Sequence, residues 1–289
     1  MSTNDSQENI THIGRYEILR QIGHGGMSIV FLAHDPLVKR DVAIKLLSRQ
    51  RVLDNDALIR FQQEAEIVAR LQHSCIVPVF DFGHYDQRPY MVMQYMAGGS
   101  LADRLTAGPL DLPALAPIMA RVATALDTAH QRLIIHRDLK PANVLFDEQG
   151  QSYLADFGVA KIRADFAQQL TGNLVLGTPE YMSPEQVRGQ HSLDGRSDIY
   201  GLGIVFFQAL TGKYPFRATT PMGTAVAHIM DPIPYILDTR PDLPRETELI
   251  VSKVLAKDRD KRYATAQAFA EDVQLVADGR GYHLHLTDL

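Results

Sequence analysis

The chain has 289 residues, 45% apolar and 22% charged, a balance that supports a sizeable core and excludes disordered, collagen-like and low-complexity classes. Its net charge of −5 argues against a general nucleic-acid binder, and its single cysteine, Cys75, excludes an internal disulfide framework and a cysteine-rich zinc module. Residues 1–11 do not read as a signal peptide, and the longest apolar stretch, residues 201–210, is too short to span a bilayer; the expectation is a soluble protein of a reducing, cytoplasmic compartment.

Residues 1–15 read as a flexible leader. Short apolar-alternating runs follow up to about residue 95, with strands expected at residues 18–22, 29–33, 42–47, 77–80 and 90–93. One helix interrupts them: Leu58, Phe61, Ala65 and Val68 recur at spacings of three and four after a start signal in Asp54, Asn55 and Asp56. Beyond Gly98 and Gly99, a natural hinge, the period becomes helical. Leu115, Ile118, Met119, Val122, Ala125, Leu126 and Ala129 trace one face of a long helix. Two strand-like runs, residues 143–146 and 152–155, precede helices expected at residues 197–211, 221–230, 246–256 and 265–277. A strand-rich segment joined to a helix-rich one is an α+β pattern with two lobes.

Gly23, Gly25 and Gly26 form a glycine loop between two strands. Glycines let a backbone approach phosphate oxygens closely. The same residues also fit a plain hairpin turn, and a strand on each side disfavours a dinucleotide fingerprint, which runs from strand into helix. Gly201, Gly203, Gly279 and Gly281 read as packing or turn glycines. Lys45 lies inside an apolar strand, where an ammonium is costly unless it meets an anion. Glu64 lies on the apolar stripe of the first helix, so the two suggest an ion pair; each alone also fits a boundary residue with a solvated tip.

The strongest signal is the run of residues 135–144, with His136, Arg137, Asp138, Lys140 and Asn143, followed by Asp156, Phe157 and Gly158. Phosphoryl transfer needs a divalent metal on oxygen ligands, for which Asn143 and Asp156 are suited. It also needs a group that orients the attacking hydroxyl, which Asp138 supplies, and a cation near the transferring group, which Lys140 supplies. His73, His84, His191 and His228 show no ligand spacing with Cys75 or with one another.

These residues resemble the protein-kinase signature set over residues 16–277. Gly23, Ser28, Ser183, Pro184, Glu185 and Gln186 in their local runs are similar to the bacterial Hanks-type (PknB-like) serine/threonine kinases. The resemblance implies an N-terminal lobe with a five-stranded antiparallel sheet and one long helix, and a mainly helical C-terminal lobe. The implied domain covers residues 16–278, divided near residue 96, with a tail at 279–289. It implies ATP and Mg²⁺ or Mn²⁺ as cofactors. Ile22, Gly23, His24, Gly25, Gly26, Met27, Ser28, Ile29 and Val30 would cover the phosphates. Ala43 and Val30 would pack on adenine, with Met93 as gatekeeper and Gln94 to Met96 as hinge. Lys45 would contact the phosphates and pair with Glu64, Asp138 would be the base, Lys140 would steady the γ-phosphate, and Asn143 and Asp156 would hold the metal. Thr178 would bridge Asp138 and Lys140, Glu185 and Arg262 would form a buried ion pair, and Asp198 would hold the catalytic loop.

Lys140 and residues 177–185 resemble Ser/Thr-specific members. Departures from the general pattern, Ser28 for the third loop glycine and Ser183 for an alanine, match the bacterial subgroup; the tryptophan often found beyond Asp198 is absent. Arg137 implies control by phosphorylation, and Thr171 is the one hydroxyl residue in 161–177. Implied partners are Ser/Thr-bearing proteins and a second copy through the small lobe, with no nucleic acid, and the implied location is the cytoplasm, either as a free kinase or as the cytosolic domain of a longer membrane-anchored receptor kinase. Competing readings are a pseudokinase scaffold and a small-molecule kinase. All four of Lys45, Asp138, Asn143 and Asp156 speak against the first, and residues 177–185 against the second.

Overall fold

The computed structural model describes residues 10–25, 28–52, 54–157, 179–190 and 192–280. The first lobe is built on one antiparallel sheet: β1 (His12–Ile13), β2 (Tyr16–His24), β3 (Ser28–Asp35), β4 (Arg40–Leu47), β5 (Val79–Tyr85) and β6 (Arg88–Gln94), in the order β1-β2-β3-β4-β6-β5. The sheet has six strands where five were expected. The addition is β1, which the turn at Gly14 (φ +57°) folds back so that Ile13 pairs with Tyr16 and is fully buried. Residues 12–15 therefore belong to the sheet and not to a loose leader.

Strand β4 is buried on both faces, which explains its unbroken apolar run. Val42, Ile44 and Leu46 pack with Ile13, Ile29 and Phe31 on one face. Ala43, Lys45 and Leu47 share the other face, since side chains alternate along a strand. There Ala43 and Leu47 pack against Ala57, Phe61 and Ala65 of α1 (Asn55–Arg70). The Asp54 carboxylate accepts the Ala57 N–H at 3.1 Å and caps that helix.

Strand β5 begins at Val79, two residues later than expected. Pro78 has no N–H to give, and the N–H of Val77 is taken by Leu154 O at 3.0 Å. Leu154 N–H in turn reaches Cys75 O at 2.8 Å, so residues 75–77 are stitched into the second lobe.

The second lobe contains α2 (Leu101–Leu105), α3 (Leu112–His130), the hairpin of β7 (Val144–Phe146) and β8 (Ser152–Leu154), and then α4 (Pro184–Val187), α5 (Arg196–Thr211), α6 (Pro221–Met230), α7 (Glu246–Val254) and α8 (Ala266–Ala277). Helix α5 is buried on all sides, as a helix without a polar face must be, and forms the axis of this lobe. Gly203 is a packing residue, since a Cβ there would lie 2.6 Å from Val254. The expected ion pair forms: Arg262 grips Glu185 with two bonds of 2.6 and 2.9 Å, and both are buried. No helix among the described residues is long and apolar enough to cross a membrane.

Candidate active site

Strand β4 carries Lys45 on the face that meets α1. Glu64 lies one turn beyond the buried Phe61, on the same helix face. Lys45 Nζ donates to Glu64 Oε1 at 2.6 Å and to Asp156 Oδ1 at 2.9 Å, so the second bond joins the lobes. Burial works against the Lys45 ammonium, but the attraction of Asp156 and Glu64 outweighs it and holds the group protonated. Burial would raise Asp156 too, yet Lys45 keeps it below the usual carboxylate range. For Glu64 burial prevails and its carboxyl is pushed up. The Asp156 side chain remains open to the cleft, at 46% accessibility.

The loop between α3 and β7 is fixed from beneath. Asp198, in the first turn of α5, accepts the N–H groups of His136 and Arg137, each at 2.8 Å. Arg137 holds φ at +65°, a left-handed conformation that these bonds stabilise. The buried His136 ring takes the Asp138 N–H on Nδ1 at 3.3 Å and sends Nε2–H to Ala155 O at 3.0 Å, the pattern of a neutral imidazole; burial lowers its pKa accordingly. These bonds tie the Asp138 loop to the Asp156 segment. Asp138 Oδ2 receives Lys140 Nζ at 3.0 Å, and Asn143 Nδ2 donates to Asp138 O at 2.8 Å. Asp156 also has positive φ, +55°, and Phe157 is fully buried beside the His136 ring at 4.8 Å.

Ala43, Met93 and Met96 lie in one apolar cluster with the partly buried Ile22 and Val30 packed on it. Gln94 pairs with Val42 at the end of β6. Ile29, grouped with Val30 by sequence, points to the opposite face and joins Ile13 and Phe31. This corrects its assignment to the ligand-facing set, because adjacent strand residues face opposite ways. His24 is exposed, Gly25 N–H bonds Ser28 O at 2.8 Å, and Ser28 is buried. Gly26, Met27, Thr171 and Thr178 lie outside the described residues.

Sequence reasoning missed His130. Its Nε2 bonds Asp198 Oδ2 at 2.7 Å, and its Nδ1 faces Asp127 at 3.7 Å. Burial would lower this imidazole, but the carboxylates of Asp127 and Asp198 that face its two ring nitrogens prevail and raise it to about 9. Gly195 makes the room: a Cβ there would collide with the His130 ring. The available signal was a histidine in the last turn of α3, six residues ahead of His136. Gln186 was also assigned no role, and its side-chain amide donates to Arg137 O at 3.0 Å.

A family model described as protein kinase domain matches residues 16–273. The serine/threonine-protein kinase PrkC of Bacillus subtilis is 41% identical over 266 residues, which cover 92% of this chain and 41% of PrkC. PknB of Mycolicibacterium smegmatis is 40% identical over 273 residues, covering 92% of this chain and 43% of PknB. The chain thus spans about two fifths of the length of these curated relatives. Crystal structures of the Mycobacterium tuberculosis PknI kinase domain share the fold: one gives a TM-score of 0.73 at 30% identity, covering 92% of this chain and 96% of that one. Another gives 0.72 at 28% identity, covering 93% and 99%. With the lobes, the Lys45–Glu64 pair and the loop around Asp138 in place, the chain belongs to the protein kinase domain family.

Proposed function

We propose that this chain is a serine/threonine protein kinase that transfers the γ-phosphoryl group of ATP to a protein hydroxyl. One observation carries the reading: Lys45, bonded to Glu64 and Asp156, brings the first lobe to the loop where Lys140 and Asn143 bond to Asp138. ATP and a divalent metal are used by the family in general.

The apolar cluster of Ala43, Met93, Met96, Ile22 and Val30 receives the adenine. The Lys45 ammonium meets the phosphates. The glycine loop supports this placement. A Cβ would be 3.5 Å from Val30 at Gly23 and 3.6 Å from Ser28 O at Gly25, ordinary contacts, so neither needs to be glycine for packing inside the protein. Asn143 uses its amide nitrogen on Asp138 O, which leaves its side-chain oxygen as an acceptor, and Asp156 gives only Oδ1 to Lys45. Two such hard oxygens fit Mg²⁺, which when bound would neutralise charge on the phosphates. Asp138 orients the substrate hydroxyl and takes its proton as the oxygen bonds to the γ-phosphorus. The bond to the β-phosphate oxygen breaks and ADP leaves, while Lys140 offsets charge at the transferred group.

Labelled phosphate transfer from Mg-ATP to a mixed protein substrate, wild type beside Asp138→Asn, tests the reading. Signal in wild type alone supports it; equal signal from both overturns it.

The kinase domain on this reading spans residues 16–278 and acts in a reducing, cytoplasmic compartment. Thr171 is the proposed autophosphorylation site, with Arg137 receiving the phosphate; mapped phosphopeptides that fill other sites and leave Thr171 bare would remove it. A homodimer through the small lobe would use the exposed Leu37 and Val38 between β3 and β4. Sedimentation of Leu37→Glu against wild type decides that point.

A further inference from the structure

The peptide unit between Arg137 and Asp138 is held at both ends by side chains. Its N–H, that of Asp138, donates to His136 Nδ1 at 3.3 Å. Its carbonyl, that of Arg137, accepts from Gln186 Nε2 at 3.0 Å. A peptide unit is planar and rigid, so fixing its oxygen and its N–H fixes the plane. That plane sets the direction in which the Asp138 side chain leaves the backbone. The left-handed φ of Arg137, +65°, is one that a residue other than glycine keeps only while its surroundings enforce it.

The residue type at 186 answers to that carbonyl. Helix α4 starts with a reciprocal cap: Ser183 Oγ accepts the Gln186 N–H at 3.3 Å, and Gln186 Oε1 accepts the Ser183 N–H at 2.9 Å. Glutamate serves such a cap as well as glutamine does. A carboxylate, however, offers acceptors alone, whereas the amide also carries two N–H donors. Between these two, only glutamine satisfies the Ser183 N–H and the Arg137 carbonyl together. The anchor is stiff, because the neighbouring Glu185 is held by Arg262 at 2.6 and 2.9 Å and by the Ser197 hydroxyl at 2.7 Å.

We infer that Gln186 is a positioning residue for phosphoryl transfer, whose amide N–H holds the Arg137–Asp138 peptide and so aims the Asp138 carboxylate at the substrate hydroxyl. The inference rests on the proposed kinase reading, which gives Asp138 that task, and adds the group that orients it.

The test is single-turnover transfer of labelled phosphate from Mg-ATP to a mixed protein substrate by wild type, Gln186→Glu, Gln186→Met and Ser183→Ala, beside Asp138→Asn. Gln186→Glu keeps an acceptor for the Ser183 N–H and loses the donor to Arg137 O. Ser183→Ala removes the cap hydroxyl and keeps that donor. Both Gln186 variants should transfer phosphate at least about tenfold more slowly, with the dependence on ATP concentration unchanged within about twofold, because a misplaced group slows the step and not the binding of nucleotide. Ser183→Ala should lower the melting temperature and keep the transfer rate within about twofold of wild type. Gln186→Met also loses the cap, so Gln186→Glu decides the point should the methionine variant fail to fold. A wild-type rate in Gln186→Glu overturns the positioning role, as do rates that follow the melting temperature across the three variants. Transfer by wild type no greater than by Asp138→Asn overturns the kinase reading instead, and the positioning role with it.

Discussion

His130 and the catalytic loop share one oxygen of Asp198. Oδ2 is 2.7 Å from His130 Nε2 and accepts the His136 N–H at 2.8 Å. The other ring nitrogen of His130 faces Asp127, whose oxygens receive the Ala266 and Gln267 N–H groups at the start of α8. A single imidazolium therefore links α3, α5 and α8 to the loop that carries Asp138.

A pH signature follows from that link. The folded His130 titrates at about 9, above 6.5 for a free imidazole. Its stabilisation is complete below pH 6.5 and disappears as the pH rises through 9. The difference in melting temperature between wild type and His130→Gln should be widest near pH 6 and shrink above pH 9, the full effect being on the order of 3 kcal/mol. A gap that stays constant with pH would show that His130 acts by shape alone.

Glu64 separates activity from stability. Its carboxyl is pushed up by burial, so the ionised form is held at a cost, and Lys45 keeps a second partner in Asp156. Glu64→Gln should lower phosphate transfer by about 100-fold, the scale of losing one placed charge in a reacting site. Its melting temperature should stay close to that of wild type. Loss of both together would assign Glu64 to the core and not to the site.

The Arg262–Glu185 pair should behave in the opposite way. Arg262→Leu leaves a buried carboxylate without its guanidinium and should destabilise the fold by about 3–5 kcal/mol. Replacing both residues with leucine should restore part of this. Burial would raise Glu185, but Arg262 outweighs it and holds the carboxyl below its usual 4.5. The pair's contribution is therefore present above pH 4.5 and is lost as the pH falls through the folded value. Urea titrations at pH 7 and pH 4 should show a smaller gap between wild type and the double variant at the lower pH.

Leu133 is a removable strain. It adopts φ +60° in the turn after α3 and is 93% accessible, so nothing is gained by its side chain. Relief of a left-handed non-glycine residue is worth about 1–2 kcal/mol, offset by about 0.4–1 kcal/mol of chain entropy for glycine. Leu133→Gly should raise the melting temperature slightly and leave phosphate transfer unchanged; a lower melting temperature would refute the strain.

Much of the lobe division and of the site was legible because the decisive residues break a local pattern. Lys45 interrupts an apolar strand, Glu64 sits on an apolar stripe, and Asp138 and Asp156 fall in short, specific runs. What stayed hidden depends on partners far along the chain. His130 looks like an ordinary helix-end cation until Asp198, 68 positions later, comes beneath it. Strand β1 has two residues, too few to show alternation, and exists because Gly14 reverses the chain. Ile29 was grouped with Val30 because a motif run carries no information on which face each residue takes.

The stitching of residues 75–77 to β8 has a mechanical consequence. The chain joins the lobes once where β6 runs on toward α2, and again at this seam. A single strand between two bodies is a swivel with three rotational freedoms. Two separated attachments leave one easy axis, the line through them, and the 2.9 Å bond from Lys45 to Asp156 is a third tie between the lobes that opposes rotation about it.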